Sequence, residues 1–131
     1  MDRVFLDANV LFSAAYQPRT GLHRLWKLPD LTLLTSPYAL EEARRNLEKS
    51  HQRERLARLA ESVEIVHEAP RGSLPRGVEF AEKDAPILLA AIEARATHLL
   101  TGDVRDFGPY FGKRVGGVLV LTPGEYLRAR G

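Results

Sequence analysis

The hydrophobic pattern of this chain alternates between short unbroken apolar runs and longer stretches with helical spacing. The runs are residues 3–6 (RVFL), 31–35 (LTLLT), 63–66 (VEIV), 97–101 (THLLT) and 118–121 (VLVL). Each is too short for a stable helix and lacks strict alternation, which is how strands buried on both faces of a parallel sheet read. Between them apolar residues recur with helical period. Residues 10–15 continue from the first strand into a helix that the QPRTG segment breaks. Leu22, Leu25, Trp26 and Leu28 share one helical face, stopped by Pro29. Leu40, Ala43 and Leu47 mark a helix whose start is the clearest boundary in the chain, with Ser36 as N-cap and Pro37 in the first helical position. Leu56, Leu59 and Ala60 face inward from a helix over 51–61. A further helix runs from Asp84 to a turn at Ala96, and Pro123 opens a short last helix to Arg130. Two prolines and two glycines make 68–78 a loop, and FGPYFGK (107–113) reads as irregular or helical. Strands separated by helices predict an α/β protein, a three-layer α/β/α sandwich around a five-stranded parallel sheet.

The 131 residues fit a single domain spanning 1–131 with a sizeable core. No apolar run approaches the roughly 20 residues of a membrane span. Asp7 and Asn9 interrupt the N-terminal apolar stretch, so it does not read as a signal peptide. Without cysteine there is no disulfide framework, thiol nucleophile or thiolate-bound zinc, which fits a cytoplasmic location. The net charge of +2 does not announce a nucleic-acid partner, but its distribution keeps one open. Residues 43–58 carry six basic side chains (Arg44, Arg45, Lys49, Arg53, Arg55, Arg58) against two acidic ones. A solvated helical face explains such a set equally well. Fifteen of the nineteen basic residues are Arg, the side chain suited to bidentate phosphate contact.

The acids carry the chemistry. Asp7 and Asp103 each follow an apolar strand, and in open parallel sheets ligands bind beyond the strand C-termini where strand order reverses. If strands one and four are neighbours at that reversal, the two carboxylates stand about 4.8 Å apart. Asp84 at a helix start and Glu42 early in the helix after strand two belong to the same edge. Like charges in one cleft raise each other's pKa, and a divalent cation resolves the conflict. All-oxygen ligation points to Mg²⁺ or Mn²⁺, ions that activate water for phosphodiester hydrolysis. Each acid also has a plainer reading. Asp7, Asn9 or Asp84 would serve as helix caps, Asp106 would cap the segment after it, and Asp103 would shape a turn. Glu41 and Glu42 would be surface acids favoured by the helix dipole. The four histidines show no ligand spacing, and Trp26 reads as core.

The segments FLDANVLFSA, SPYALEEARRNL, KDAPILLAAIEARATHLLTGDVRDFG and GVLVLTPGEYL cover nearly the whole chain. Together they resemble the PIN domain nucleases, particularly the VapC-type toxins. The resemblance implies that Asp7, Glu42, Asp84 and Asp103 are the catalytic, metal-holding acids. Glu42 is preferred to Glu41 because the functional acid stands second in the family's spacing. Asp106 matches an optional fifth acid, and Asn9 and Thr101 match supporting positions. It further implies Mg²⁺- or Mn²⁺-dependent cleavage of single-stranded RNA, a homodimer, and a small antitoxin protein as partner. Arg44 and Arg45 are the candidates for RNA contact. A non-catalytic RNA-binding adaptor on the same fold is the alternative, and a metal-dependent phosphatase is a further one. A phospho-acceptor signalling domain would want a Lys after the last strand, where this chain has Thr122-Pro123.

Overall fold

A computed structural model describes residues 1–67, 74, 75, 77, 78 and 84–130. The loop expected at 68–78 therefore lies mostly outside the described residues, as does Lys83 ahead of Asp84. Among the described residues six strands form one sheet: β1 (Asp2–Leu6), β2 (Leu31–Thr35), β3 (Glu64–Ile65), β4 (His98–Leu100), β5 (Arg114–Val115) and β6 (Val118–Leu121). Six α-helices among the same residues accompany them: α1 (Ala8–Tyr16), α2 (Pro37–Asn46), α3 (Ser50–Ala60), α4 (Ala85–Glu93), α5 (Val104–Phe107) and α6 (Pro123–Arg130). The segment Gly21–Lys27, expected as an α-helix, is a 3-10 helix capped by the Thr20 hydroxyl. Leu25 still buries fully there, and the Trp26 indole N–H donates to Leu59 O at 2.9 Å.

The strand order is β3-β2-β1-β4-β6-β5, parallel except for β5. The expected five parallel strands are β1, β2, β3, β4 and β6. The sixth, β5, is a two-residue edge strand that turns back onto β6 through Gly116-Gly117, both at positive φ. Two glycines in the left-handed region are what a tight hairpin demands.

Alternation along the strands splits the core into two layers, one on each face of the sheet. Val4 and Leu6 of β1, Leu33 of β2 and Leu100 of β4 pack with α1, α3 and α6, through Val10, Leu11, Leu56 and Tyr126. Phe5, Leu34 and Leu99 point the other way, against Ile87, Leu88 and Ala91 of α4 and against Phe107. Phe5 is fully buried, and truncating such a ring to alanine costs about 3–5 kcal/mol. At the edge where β1 begins, the Tyr126 hydroxyl donates to Asp2 Oδ2 at 2.6 Å and ties α6 to the first strand.

The chain winds outward from β1 to β2 and β3, then crosses back to place β4 on the other side of β1. The β1–β4 pair is therefore the point where strand order reverses. Leu6 and Leu100 stand in register there, one residue short of Asp7 and Thr101.

Candidate active site

Both strand tips at the reversal end in a polar residue because the next backbone step leaves the sheet. The Asp7 N–H still donates to Leu100 O at 3.1 Å, and the chain then enters α1. Asp7 is 4 % exposed and is the N-cap of α1, its Oδ1 accepting from Ala8 N at 2.6 Å. Its Oδ2 accepts from the Thr101 hydroxyl at 2.8 Å and from Asn9 Nδ2 at 3.2 Å. Capping and site geometry are thus one arrangement, which fixes this carboxylate in a single orientation.

Asn9 and Thr101 join the two strand tips. Asn9 Nδ2 also lies 3.2 Å from Thr101 Oγ1, and Asn9 Oδ1 accepts from Gly102 N at 2.8 Å. Thr101 Oγ1 accepts from Asp103 N at 3.1 Å, so one buried hydroxyl positions both Asp7 and the start of the Asp103 turn. Asp103 caps α5, its Oδ1 accepting from Asp106 N at 3.0 Å.

Asp84 stands at the N-cap position of α4, 7 % exposed, without a side-chain capping bond to that helix. Glu42 is half-buried on α2, one turn beyond the Ser36 cap, whose Oγ accepts from Ala39 N at 3.2 Å. Its neighbour Glu41 turns outward and holds Arg44 in an exposed two-point ion pair. The structure therefore puts Glu42, not Glu41, in the cleft, and engages the Arg44 fork with Glu41. Arg45 is exposed, and its charge reaches Tyr38 and Glu41.

Asp7, Glu42, Asp84 and Asp103 line one cleft of about 670 Å³, together with Asn9, Phe12, Ser13, Asn46 and Gly102. Carboxylate oxygens of Asp84, Asp103 and Asp106 all come within 4.8 Å of one another. The electrostatic consequence appears on Asp7. Burial, and then the charges of Glu42 and Asp103, push its carboxyl up to about 6, against the pull of its bonds from Thr101 and Ala8. Tyr38 at the start of α2 is raised as well, by burial first and then by Glu42 and Asp84. An all-oxygen set of clustered carboxylates fits a hard divalent cation, which would offset the burial and the repulsion that lift Asp7.

Tyr38, Phe12 and Asn46 gave no signal as site residues. Phe12 and Asn46 reach the cleft because α1 and α2 pack side by side, a tertiary relation that no local pattern encodes. Two of the four histidines take structural places: His23 bonds Ala14 O at 2.7 Å, and His98 meets the Tyr126 ring edge-on at 4.9 Å, while His51 and His67 are exposed.

A doubly wound α/β sheet with a carboxylate-lined cleft at its reversal defines the class of this protein. The model of the PIN domain matches residues 3–105, and the chain belongs to the PIN domain family. Among solved structures it is similar to VapBC2 from Rickettsia felis, bound to a DNA fragment from their promoter. The identity there is 17 %, with 92 % of this chain and 98 % of that chain covered and a TM-score of 0.70. Mycobacterium tuberculosis VapC20, a sarcin-ricin loop cleaving toxin, is 15 % identical, covering 86 % of this chain and 98 % of that chain at a TM-score of 0.58. FitAB bound to an IR36 DNA fragment is 19 % identical, with 92 % and 94 % covered and a TM-score of 0.53. Likeness at these identities is a statement about the fold. Among curated proteins none matches the chain.

Proposed function

We propose that this chain is a single PIN domain acting as a metal-dependent endoribonuclease on single-stranded RNA, and that it is the toxin of a toxin–antitoxin pair. The observation that carries this reading is the meeting of four carboxylates, from four separate elements, in one cleft. Asp7, Glu42, Asp84 and Asp103 would hold Mg²⁺ or Mn²⁺, with Asp106 close enough to Asp84 and Asp103 to share in it. Such an ion, when bound, activates water and neutralises charge on the phosphoryl oxygens. The chain's own residues supply the geometry. Thr101 and Asn9 aim Asp7 into the cleft, and the α5 cap holds Asp103. Asp7, whose carboxyl burial first and then Glu42 and Asp103 push up to about 6, is the group whose charged form a cation would favour.

The toxin assignment, the antitoxin and the homodimer are supported by the resemblance to VapC-type proteins. VapBC2 and FitAB were solved as assemblies with DNA. A cytoplasmic site of action is consistent with a cysteine-free chain and with the absence, among the described residues, of any helix long and apolar enough to cross a membrane.

The test is cleavage of a mixed-sequence single-stranded RNA by wild type and Asp103→Asn, with and without Mg²⁺ or Mn²⁺. Asparagine still caps α5 but removes a ligand charge. Groups that only support a metal ligand cost about 10–100-fold when lost, so activity should fall about 100-fold or more. Folded wild type that binds RNA but does not cut it with either ion would instead establish the adaptor reading.

A further inference from the structure

Along α1 the wall of the cleft changes character. Asp7 caps the helix, and Phe12, still lining the cleft, is half-buried against the core, which holds its ring in place. One turn on, Tyr16 is 50 % exposed, its ring centroid 5.4 Å from that of Phe12 and tilted by 35°. Beyond Tyr16, α3 brings in basic side chains. Arg55 of α3 donates from Nη1 to Ala15 O at 2.7 Å, which fixes a guanidinium at the end of α1. Gln52 of α3 donates to Tyr16 O at 3.2 Å, and Arg53 donates from Nε to Leu47 O at 2.7 Å. Acid cleft, aromatic pair and anchored guanidinium follow one another in order.

We propose that Phe12 and Tyr16 form a nucleobase-stacking subsite for a single-stranded nucleic acid, with Arg55 meeting a phosphate just past it. The inference rests on the ribonuclease reading of the cleft and deepens it, since it says where the strand lies on leaving the acids. Carboxylates repel a polyanion, so affinity must come from elsewhere. Aromatic faces that accept any base, next to a positive track, are how proteins hold single strands without reading their sequence. Burial would be the ordinary fate of two neighbouring aromatic rings. Here the outer ring instead stands half in solvent, next to a ring that forms part of the cleft wall. The Arg55 guanidinium has five N–H donors, of which the bond to Ala15 O engages one end.

The experiment titrates short single-stranded RNAs, carrying 2-aminopurine at successive positions, into the full chain with Asp103→Asn, and into wild type, in chelator so that the RNA stays uncut. Stacking should quench the fluorophore at one or two adjacent positions. Tyr16→Ala should remove that quenching and weaken binding about tenfold, as should Phe12→Leu, which keeps most of the buried bulk. An abasic nucleotide at the quenched position should weaken wild-type-ring protein to the same degree and leave Tyr16→Ala unchanged. Arg55→Gln should reduce the salt dependence of binding by about 0.7 in log–log slope, the share of one phosphate on a single strand. Tyr16 is exposed, so its variant should keep the parent melting temperature. RNA bound with no quenching at any position, or with unchanged affinity in Tyr16→Ala, overturns the subsite and leaves the ring pair to a protein partner. RNA not bound at all by wild type overturns the ribonuclease reading itself, a separate and recognisable result.

Discussion

Thr101 is fully buried, yet its one hydroxyl serves three polar neighbours: Asp7 Oδ2, Asn9 Nδ2 and Asp103 N. No apolar residue of the same shape can do this, so Thr101→Val separates positioning from packing. The methyl keeps the volume while both acids lose their common tether. Expected is about a 10–100-fold rise in the Mg²⁺ or Mn²⁺ concentration needed for half-maximal cleavage, because outer-shell partners act through the ligands they orient. Activity at saturating metal should recover much of the loss, and a metal titration of cleavage reads the difference. A variant whose metal midpoint matches wild type would show that Thr101 serves only the fold. Glu41 and Glu42 illustrate the same scale from the other side. Adjacent and chemically alike, they diverge because helical rotation turns one toward Arg44 in solvent and the other into the cleft.

Five strands, the Ser36-Pro37 boundary of α2 and the start of α4 were legible, since each rests on a local signal: an apolar run, a cap, or a proline at the first turn. Asp7, Asp84 and Asp103 were legible as candidates for a related reason, whereas Glu42 was singled out from Glu41 by the family's spacing. An acid directly after an apolar strand, or at a helix start, sits where backbone geometry exposes it to one edge of the sheet. The misses share a cause too. Gly21–Lys27 has apolar residues at helical spacing, but 3-10 winding satisfies a segment this short, capped by Thr20 and closed by Pro29. The turn expected at Ala96 does close α4, with Arg95 just before it taking the left-handed conformation at φ 56 without a glycine. Strand β5 is only Arg114–Val115, too short for any period, and exists because the Gly116-Gly117 turn lays it on β6. That turn gives an element-scale prediction. Gly116 has φ +57, and a Cβ there would stand 2.8 Å from Ile92 Cδ1 and 3.0 Å from Ile92 Cγ1. Gly116→Ala should therefore cost about 2 kcal/mol, from left-handed strain and displaced packing, and lower Tm by about 5–10 °C. Its metal requirement should stay that of wild type, since Ile92 lies at the opposite end of α4 from Asp84. Thermal melting and a metal titration on the same protein check both halves.

For the whole molecule, the cleft is a place where stability is given up for function. Asp7 has an ordinary carboxyl value of 3.8 in an unfolded chain, and burial with its acidic neighbours lifts it to about 6 in the fold. A raised acid favours the protonated folded state, so its stability is fully present below pH 3.8. It is lost as pH rises through 6 and stays lost above. About two pKa units correspond to about 3 kcal/mol of destabilisation at neutral pH in metal-free protein. Asp2 works in the opposite direction, since the Tyr126 hydroxyl holds it below its ordinary value and its contribution fades as pH falls. The comparison that isolates Asp7 is therefore wild type against Asp7→Asn, melted side by side from pH 4 to 8 in chelator. Asparagine cannot ionise, so the stability of the variant relative to wild type should grow by about 2.5 kcal/mol across that range, most of it between pH 4 and 6. Adding Mg²⁺ or Mn²⁺ at pH 7.5 should close most of that gap. An ion at a hundred times its dissociation constant stabilises wild type by about 2.7 kcal/mol, and a cleft lacking its central carboxylate should gain little. A gap that does not change with pH would mean that neither burial nor its acidic neighbours lift Asp7 in the fold. A pH-dependent gap that metal fails to close would keep the raised carboxyl but deny that a cation is what the cleft was built to hold.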